Sequence, residues 1–277
     1  MMGFPLPNFQ DHCMNQQTPK SHKAKKIVVG ATLLLMAATH ALDAQAAELL
    51  VWSAGAAQAP MTALVKDYIH DSGNRVQIEF APVGSLLKRL SEGGKPDVLI
   101  LSQDVASEVE RSGWTAPSAS TPLASVGVGI AIRVGAVEPD ISSADALRTT
   151  LLNAKSITYI NPAKGTSGKH FASVLQQLGI AQQVQSKTTL GEAGFVVEPV
   201  ARGEVELGIQ QITEILPVNG VKLLGPPPAP LQKTTTYTIA VASSARDAQA
   251  AQDFVQFVLR EPSLAVFKAK GFSAPIR

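Results

Sequence analysis

Apolar and polar positions along the chain switch repeatedly between two periods. ELLVWSA (48–54) is a short β-rich run, and PMTALVKDYIHDSG (60–73) then places Met61, Leu64, Val65, Tyr68 and Ile69 at helical spacing. Pro60 suits a first helical turn, where its missing N–H is not needed, and Gly73 suits a helix stop. RVQIEFA (75–81) alternates as a half-buried strand does, SLLKRLSEGG (85–94) predicts a short helix, and DVLILS (97–102) is a continuous apolar run. Such runs are typical of parallel strands buried on both faces. VASEVERSG (105–113) reads as a further helix.

The rhythm changes at PLASVGVGIAIRVG (122–135), a long glycine-dotted strand with no helix directly after it. A second α/β set follows: helix SADALRTTLLNA, strand SITYI, helices GKHFASVLQQLG and EAGFVVEPVARG, and strand VELGIQQ. The proline-rich LLGPPPAPLQ (223–232) predicts a surface loop. TTTYTIAVAS (234–243) is again a strand, and residues 248–272 are mostly helical in pattern. Strand and helix in turn imply parallel-rich sheets covered by helices. If the strands near 124–134 and 234–243 pair, the chain crosses into a second lobe and returns, which makes a two-strand hinge. The expected partition is 47–128 plus 237–277 for the first lobe and 129–236 for the second. Ligands of open α/β sheets sit where strands end and helices begin. That directs attention to SAGAA, APVGS, AKGTSGKH, LGEAGF and QQITE.

Residues 1–46 read differently. Lys20, Lys23, Lys25 and Lys26 precede the apolar run IVVGATLLLMAA, and AQA (44–46) is a small-x-small cleavage site. This is the grammar of a cleaved export signal, and the run is shorter than the ~20 residues that span a bilayer. Export to the periplasm would leave 231 residues without the single cysteine, Cys13, so no disulfide or thiolate metal site is expected. It would also leave 20 basic and 20 acidic residues, so the net charge of +2 belongs to the leader. That balance gives no reason to expect nucleic acid as a partner or insertion into a membrane. The expectation is a monomer without metal or cofactor.

NPAKGTSGKHF (161–171) invites comparison with a nucleotide-binding P-loop. Only Thr166 and Ser167 separate Gly165 from Gly168, where that loop needs four residues, and His170 stands where its hydroxyl should be. The spacing excludes it. Thr166 or Ser167 instead predicts a cap for a helix starting near Gly168, whose free N–H groups suit an anion.

The five loops, in order, resemble those of periplasmic substrate-binding proteins of the molybdate-binding type, which close two lobes over an anion. The resemblance is carried by VWSAGAAQAPMTALVKDY, GSLLKRLSEGGKPDVLILS, NPAKGTSGKHFASVLQQLG, VARGEVELGIQQ and FVQFVLREPSLAVFKAKGF. It implies a type II binding-protein fold and an ABC-transporter permease as partner. In that family the first two loops supply serine hydroxyls and a tyrosine follows the LGI strand. Here Ala56 and Gln211 occupy two of those positions, and PVGS leaves Ser85 and the Gly84 backbone as donors in the second loop.

The remaining inventory is Thr166, Ser167, Gly168, Gln210, Gln211 and Thr213, with Lys169 and His170 in the first turn of a helix and Lys88 and Arg89 after the second loop. A di- or tricarboxylate fits it better than molybdate or tungstate. The chain is also similar in fold and export to aconitate isomerase. That similarity implies a second reading, isomerisation by allylic proton transfer. His170 is then the expected base, Lys169 the expected charge stabiliser, and Glu192 or Glu198 the alternative bases.

Overall fold

The computed structural model describes residues 46–276. The leader and Cys13 fall outside those residues, apart from Ala46.

The first lobe opens with β1 (Glu48–Ala54), a 3₁₀ turn at Gly55–Ala57 and α1 (Gln58–Ser72). β2 (Arg75–Ala81), α2 (Val83–Ser91), β3 (Val98–Ser102) and α3 (Ala106–Arg111) follow. β1 pairs parallel with both β2 and β3. Every residue of β3 is buried, as its unbroken apolar run requires. α1 buries Met61, Leu64, Val65 and Tyr68 but leaves Ile69 exposed, so the apolar stripe is narrower than its spacing predicted. It stops where Gly73 takes a left-handed conformation (φ 72°) and returns its N–H to the Ile69 carbonyl.

β4 (Thr121–Arg133) links the two halves, because its partner changes along its length. Thr121–Gly127 pairs antiparallel with β9 (Thr234–Val241), and Val128–Ala131 pairs antiparallel with β7 (Leu207–Gln211). The second lobe holds α4 (Ala144–Asn153), β5 (Ile157–Ile160), α5 (Thr166–Gln177), α6 (Ala181–Gln185), β6 (Thr188–Gly191), α7 (Glu198–Ala201), α8 (Ile212–Ile215) and β8 (Val221–Gly225). β5 pairs parallel with β6 and β7. β9 then returns to the first lobe and pairs antiparallel with β3, and α9 (Ala248–Leu259) and α10 (Glu261–Ala269) complete it. The strand order is β2-β1-β3-β9-β4-β7-β5-β6, with β8 on β4. The fold is thus the two-lobed, parallel-rich architecture expected, and β4 and β9 do lie side by side.

Two segments depart from the pattern. EAGFVVEPVARG forms only the single turn of α7, because Gly194 adopts a left-handed φ of 72° and Pro199 has no N–H for a longer ladder. Val221–Gly225 is a strand whose hydrogen bonds are supplied by β4.

Each lobe has its own core. One cluster gathers β1, β3, α1, α9 and α10 around Leu49, Leu86, Phe254 and Phe267. The other gathers β5, β7, α4 and α5 around Leu147, Tyr159, Phe171 and Ile209. Asp97, wholly buried, ties the first together by accepting from the Leu50 N–H (2.7 Å), the Arg246 N–H (2.8 Å) and Arg246 Nη2 (2.8 Å). Burial pushes its carboxyl up, but Arg246 and the two N–H donors outweigh that and hold it below the ordinary carboxylate value. No described helix is long and apolar enough to cross a membrane.

Candidate functional site

Three helix starts meet at a cavity of about 50 Å³, several times the ~10–15 Å³ that one water needs. Gly55 and Ala56 reach it ahead of α1, Pro82 and Val83 at the start of α2, and Gly165, Thr166 and Ser167 at the start of α5. First-turn N–H groups have no partner within their own helix, so each start presents the positive end of a helix dipole, although at α2 Pro82 has no N–H and the Gly84 N–H is taken by the Lys164 carbonyl. Gly194, Gln210, Glu214 and Tyr237 supply much of the remaining wall. None of the described lining residues is a lysine, arginine or histidine.

The cap of α5 differs from expectation. The helix begins at Thr166 with Gly165 as its N-cap, and no side chain caps it. Thr166 is left for another task. Its hydroxyl lies 3.3 Å from the Tyr237 hydroxyl, and Gln211 Nε2 donates to Thr166 Oγ1 (3.2 Å), Thr235 Oγ1 (3.3 Å) and Tyr237 Oη (3.3 Å). This network joins α5, β7 and β9 immediately behind the cavity.

Gln210 is fixed differently. Its Nε2 donates to the Gly194 carbonyl at 2.8 Å, which settles the amide orientation and leaves Oε1 buried without a donor. Gln211 Oε1 and Thr213 Oγ1 are likewise buried without partners.

Glu214 is the ionisable side chain that the sequence reading passed over. It stands three residues after Gln211, the N-cap of α8, at the position from which a glutamate reaches back to the N-cap N–H. Its carboxylate comes against the first lobe, where a Cβ built on Gly55 would lie 2.7 Å from Glu214 Oε1. Enclosure pushes the carboxyl up to about 8, against the downward pull of the Gln210 amide and the Gln211 N–H. Burial, then the nearby Glu214 charge, raises the Tyr237 phenol in turn. The signals available in the sequence were the QQITE loop and the three-residue spacing from cap to glutamate.

The other expected residues divide cleanly. Ala56, Thr166, Ser167 and Gln210 line the cavity, and Gln211 stands behind it. The Gly84 N–H donates to the Lys164 carbonyl (2.8 Å), a bond between lobes. Gly168 is packing: a Cβ there would lie 1.9 Å from the Ile160 carbonyl oxygen. Ser85 and Thr213 are outside the lining.

Lys169 and His170 are not brought to the cavity. The buried side of α5 runs through Ser167, Gly168, Phe171, Val174 and Leu175, which leaves Lys169 exposed. His170 Nε2 lies 2.8 Å from the Leu231 carbonyl, so that nitrogen carries the proton and donates. Burial holds the ring below its ordinary value, the Leu231 bond pulls the other way, and Lys233 adds to the lowering.

The alternative bases also lie elsewhere. Glu192 is exposed, bonded to Asn161 and paired with Lys164, and Glu198 is exposed on α7. Lys88 pairs with Glu92, and Arg89 is held by Glu79 (2.5 Å) over the Trp52 ring (3.9 Å). Among the described residues, no group of three or more His, Cys, Asp or Glu is placed to hold a metal.

Two α/β lobes joined by crossing strands, with helix starts converging on the cavity between them, define a solute-binding protein of the periplasmic type. The chain belongs to the bacterial extracellular solute-binding proteins, whose family model matches residues 49–273. It is 29% identical to an aconitate isomerase from Pseudomonas sp, over 86% of this chain and 92% of the relative. It is 26% identical to the molybdate-binding protein ModA of Azotobacter vinelandii, over 89% and 95%. Among solved structures, the periplasmic molybdate-binding protein of Azotobacter vinelandii superposes with a TM-score of 0.70 at 18% identity, over 82% of this chain and all of that one. A periplasmic thiamin binding protein superposes at 0.66 and 15% identity, over 83% and 84%. These likenesses bear out the resemblance drawn from the loops and the type II fold.

Proposed function

We propose that this chain is exported to the periplasm and binds a small organic di- or tricarboxylate in the cleft between its lobes. The observation that carries this reading is the composition of the cavity wall: three helix starts, the hydroxyls of Thr166, Ser167 and Tyr237, and one carboxyl, without a lysine, arginine or histidine. Helix amides and dipoles suit carboxylate groups arriving from several sides. A tetrahedral oxyanion is served less well, because Ala56 offers no hydroxyl to help surround it. As a binding protein, the chain closes on its ligand and presents the closed form to a permease, a shift set by the ligand's preference for the closed state. Calorimetry with trans-aconitate, citrate and molybdate tests this. Carboxylate binding without molybdate binding is expected, and the reverse order sinks the proposal.

A second reading has its own support. Glu214 places an acid–base group within a site that anion capture alone would furnish only with donors. The likeness to an aconitate isomerase points the same way. On this reading the protein interconverts cis- and trans-aconitate.

A further inference from the structure

We propose that Glu214 is the residue that moves the proton: that its carboxyl takes a hydrogen from one end of an allylic unit in the bound carboxylate and returns it to the other. The proposal rests on the carboxylate-binding reading above and deepens the isomerase reading beside it.

The geometry singles out this side chain. Glu214 and Tyr237 are the titratable residues on the described cavity wall, so no histidine or lysine competes for the role. The carboxylate is anchored on α8 of the second lobe yet abuts Gly55 of the first, where only a glycine leaves room for it. Across the same cavity stand the Gly165–Ser167 helix start and the Tyr237 hydroxyl, donors for the negative charge that proton removal creates.

The chemistry balances without a cofactor. As a carboxylate, Glu214 accepts the allylic proton; the C–H bond breaks and an O–H bond forms. The electron pair moves into the conjugated carboxylate to give a dienolate, whose added charge lies on oxygen and faces the helix amides. The same carboxyl then releases its proton to the far carbon, and the double bond has shifted. An enclosed carboxyl titrating near neutrality is a stronger base than an exposed one and still gives its proton back.

The experiment incubates the full chain with trans-aconitate in deuterated buffer and follows the vinylic and methylene protons by NMR, beside a thermal-shift titration with the same compound. The native protein is expected to convert trans- to cis-aconitate. E214Q is expected to keep the ligand-induced rise in Tm and to lose turnover by roughly 10²–10⁴-fold. Should E214Q fail to fold, G55A serves instead, since its new methyl displaces only the carboxylate end. A comparable loss of turnover in a folded G55A protein that keeps the ligand-induced rise in Tm supports the role. K169A, altered outside the cavity, is expected to turn over normally. A native protein that shows no thermal shift overturns both the carboxylate reading and this inference. Binding without conversion overturns the inference and leaves the reading standing. Full turnover in E214Q, or in G55A where that variant serves, removes Glu214 from the role.

Discussion

The Gly84 N–H donates to the Lys164 carbonyl across the cleft at 2.8 Å, so the first turn of α2 in one lobe rests on the loop before α5 in the other. The contact is close on its other side too. A Cβ on Gly84 would lie 2.8 Å from the Ala163 carbonyl oxygen and 2.9 Å from that of Lys164, and backbone does not yield as a side-chain tip does. Gly84→Ala therefore opposes closure, while within α2 alone it favours the helix by up to ~1 kcal/mol. The expected result is an unchanged or slightly raised Tm without ligand, a radius of gyration by X-ray scattering that stays open with ligand, and affinity weakened roughly tenfold or more.

Glu214 should leave a mark on the pH dependence of stability. Burial pushes its carboxyl up to about 8 in the folded chain, against an ordinary 4.5. The folded state thus holds a proton that the unfolded state releases, so this contribution is complete below 4.5, declines as pH rises, and is gone above about 8. The slope is at most about 1.4 kcal/mol per pH unit. Denaturant melts of the native chain and E214Q between pH 4 and 9 should diverge across that window, with E214Q the flatter curve. Parallel curves would mean that the carboxyl is not enclosed.

Gln211 supports three hydroxyls at once. Gln211→Leu leaves those of Thr166, Thr235 and Tyr237 without their common donor while relieving the orphaned Oε1. The amide has two hydrogens to share among the three, so at most two full bonds are lost against one relief, a net destabilisation of about 1–2 kcal/mol. Chemical denaturation measures it. Ligand affinity should fall as well, because Thr166 and Tyr237 face the cavity.

Lys169 and His170 should be nearly silent in binding. Lys169→Ala removes a cation from the first turn of α5, where the helix dipole disfavours one, so stability should hold or rise by a few tenths of a kcal/mol. His170→Ala loses the bond to Leu231 and should lower stability by about 1 kcal/mol. Calorimetric affinity should stay within about twofold for both, and a larger loss in either would return that residue to the site.

The fold was legible because its signals are local. The short unbroken run DVLILS is typical of a doubly buried strand, and the two long strands around the second α/β set carried the hinge. β8 was not legible, since Val221–Gly225 acquires its partner only once β4 is in place. The helix phase of α5 misled for a readable reason: Phe171, Val174 and Leu175 already fix its inward face, and Lys169 lies off that stripe. Thr166, Ser167 and Gln210 were found because helix starts after strands announce themselves. Glu214 escaped because its chemistry depends on Gly55, a residue far away in the chain and in the other lobe.

Arg89 lies against Trp52 and is held by Glu79, and Lys88 before it pairs with Glu92, so the two cations that follow the second loop are spent on the first lobe's own surface. The attraction left for an incoming anion comes from peptide dipoles, which act over the last few ångströms. Mobile salt ions are excluded at that range, whereas fixed charges at a cleft mouth are screened by them. Capture should therefore lose little as salt is added, a protein nearly as effective in brine as in dilute buffer.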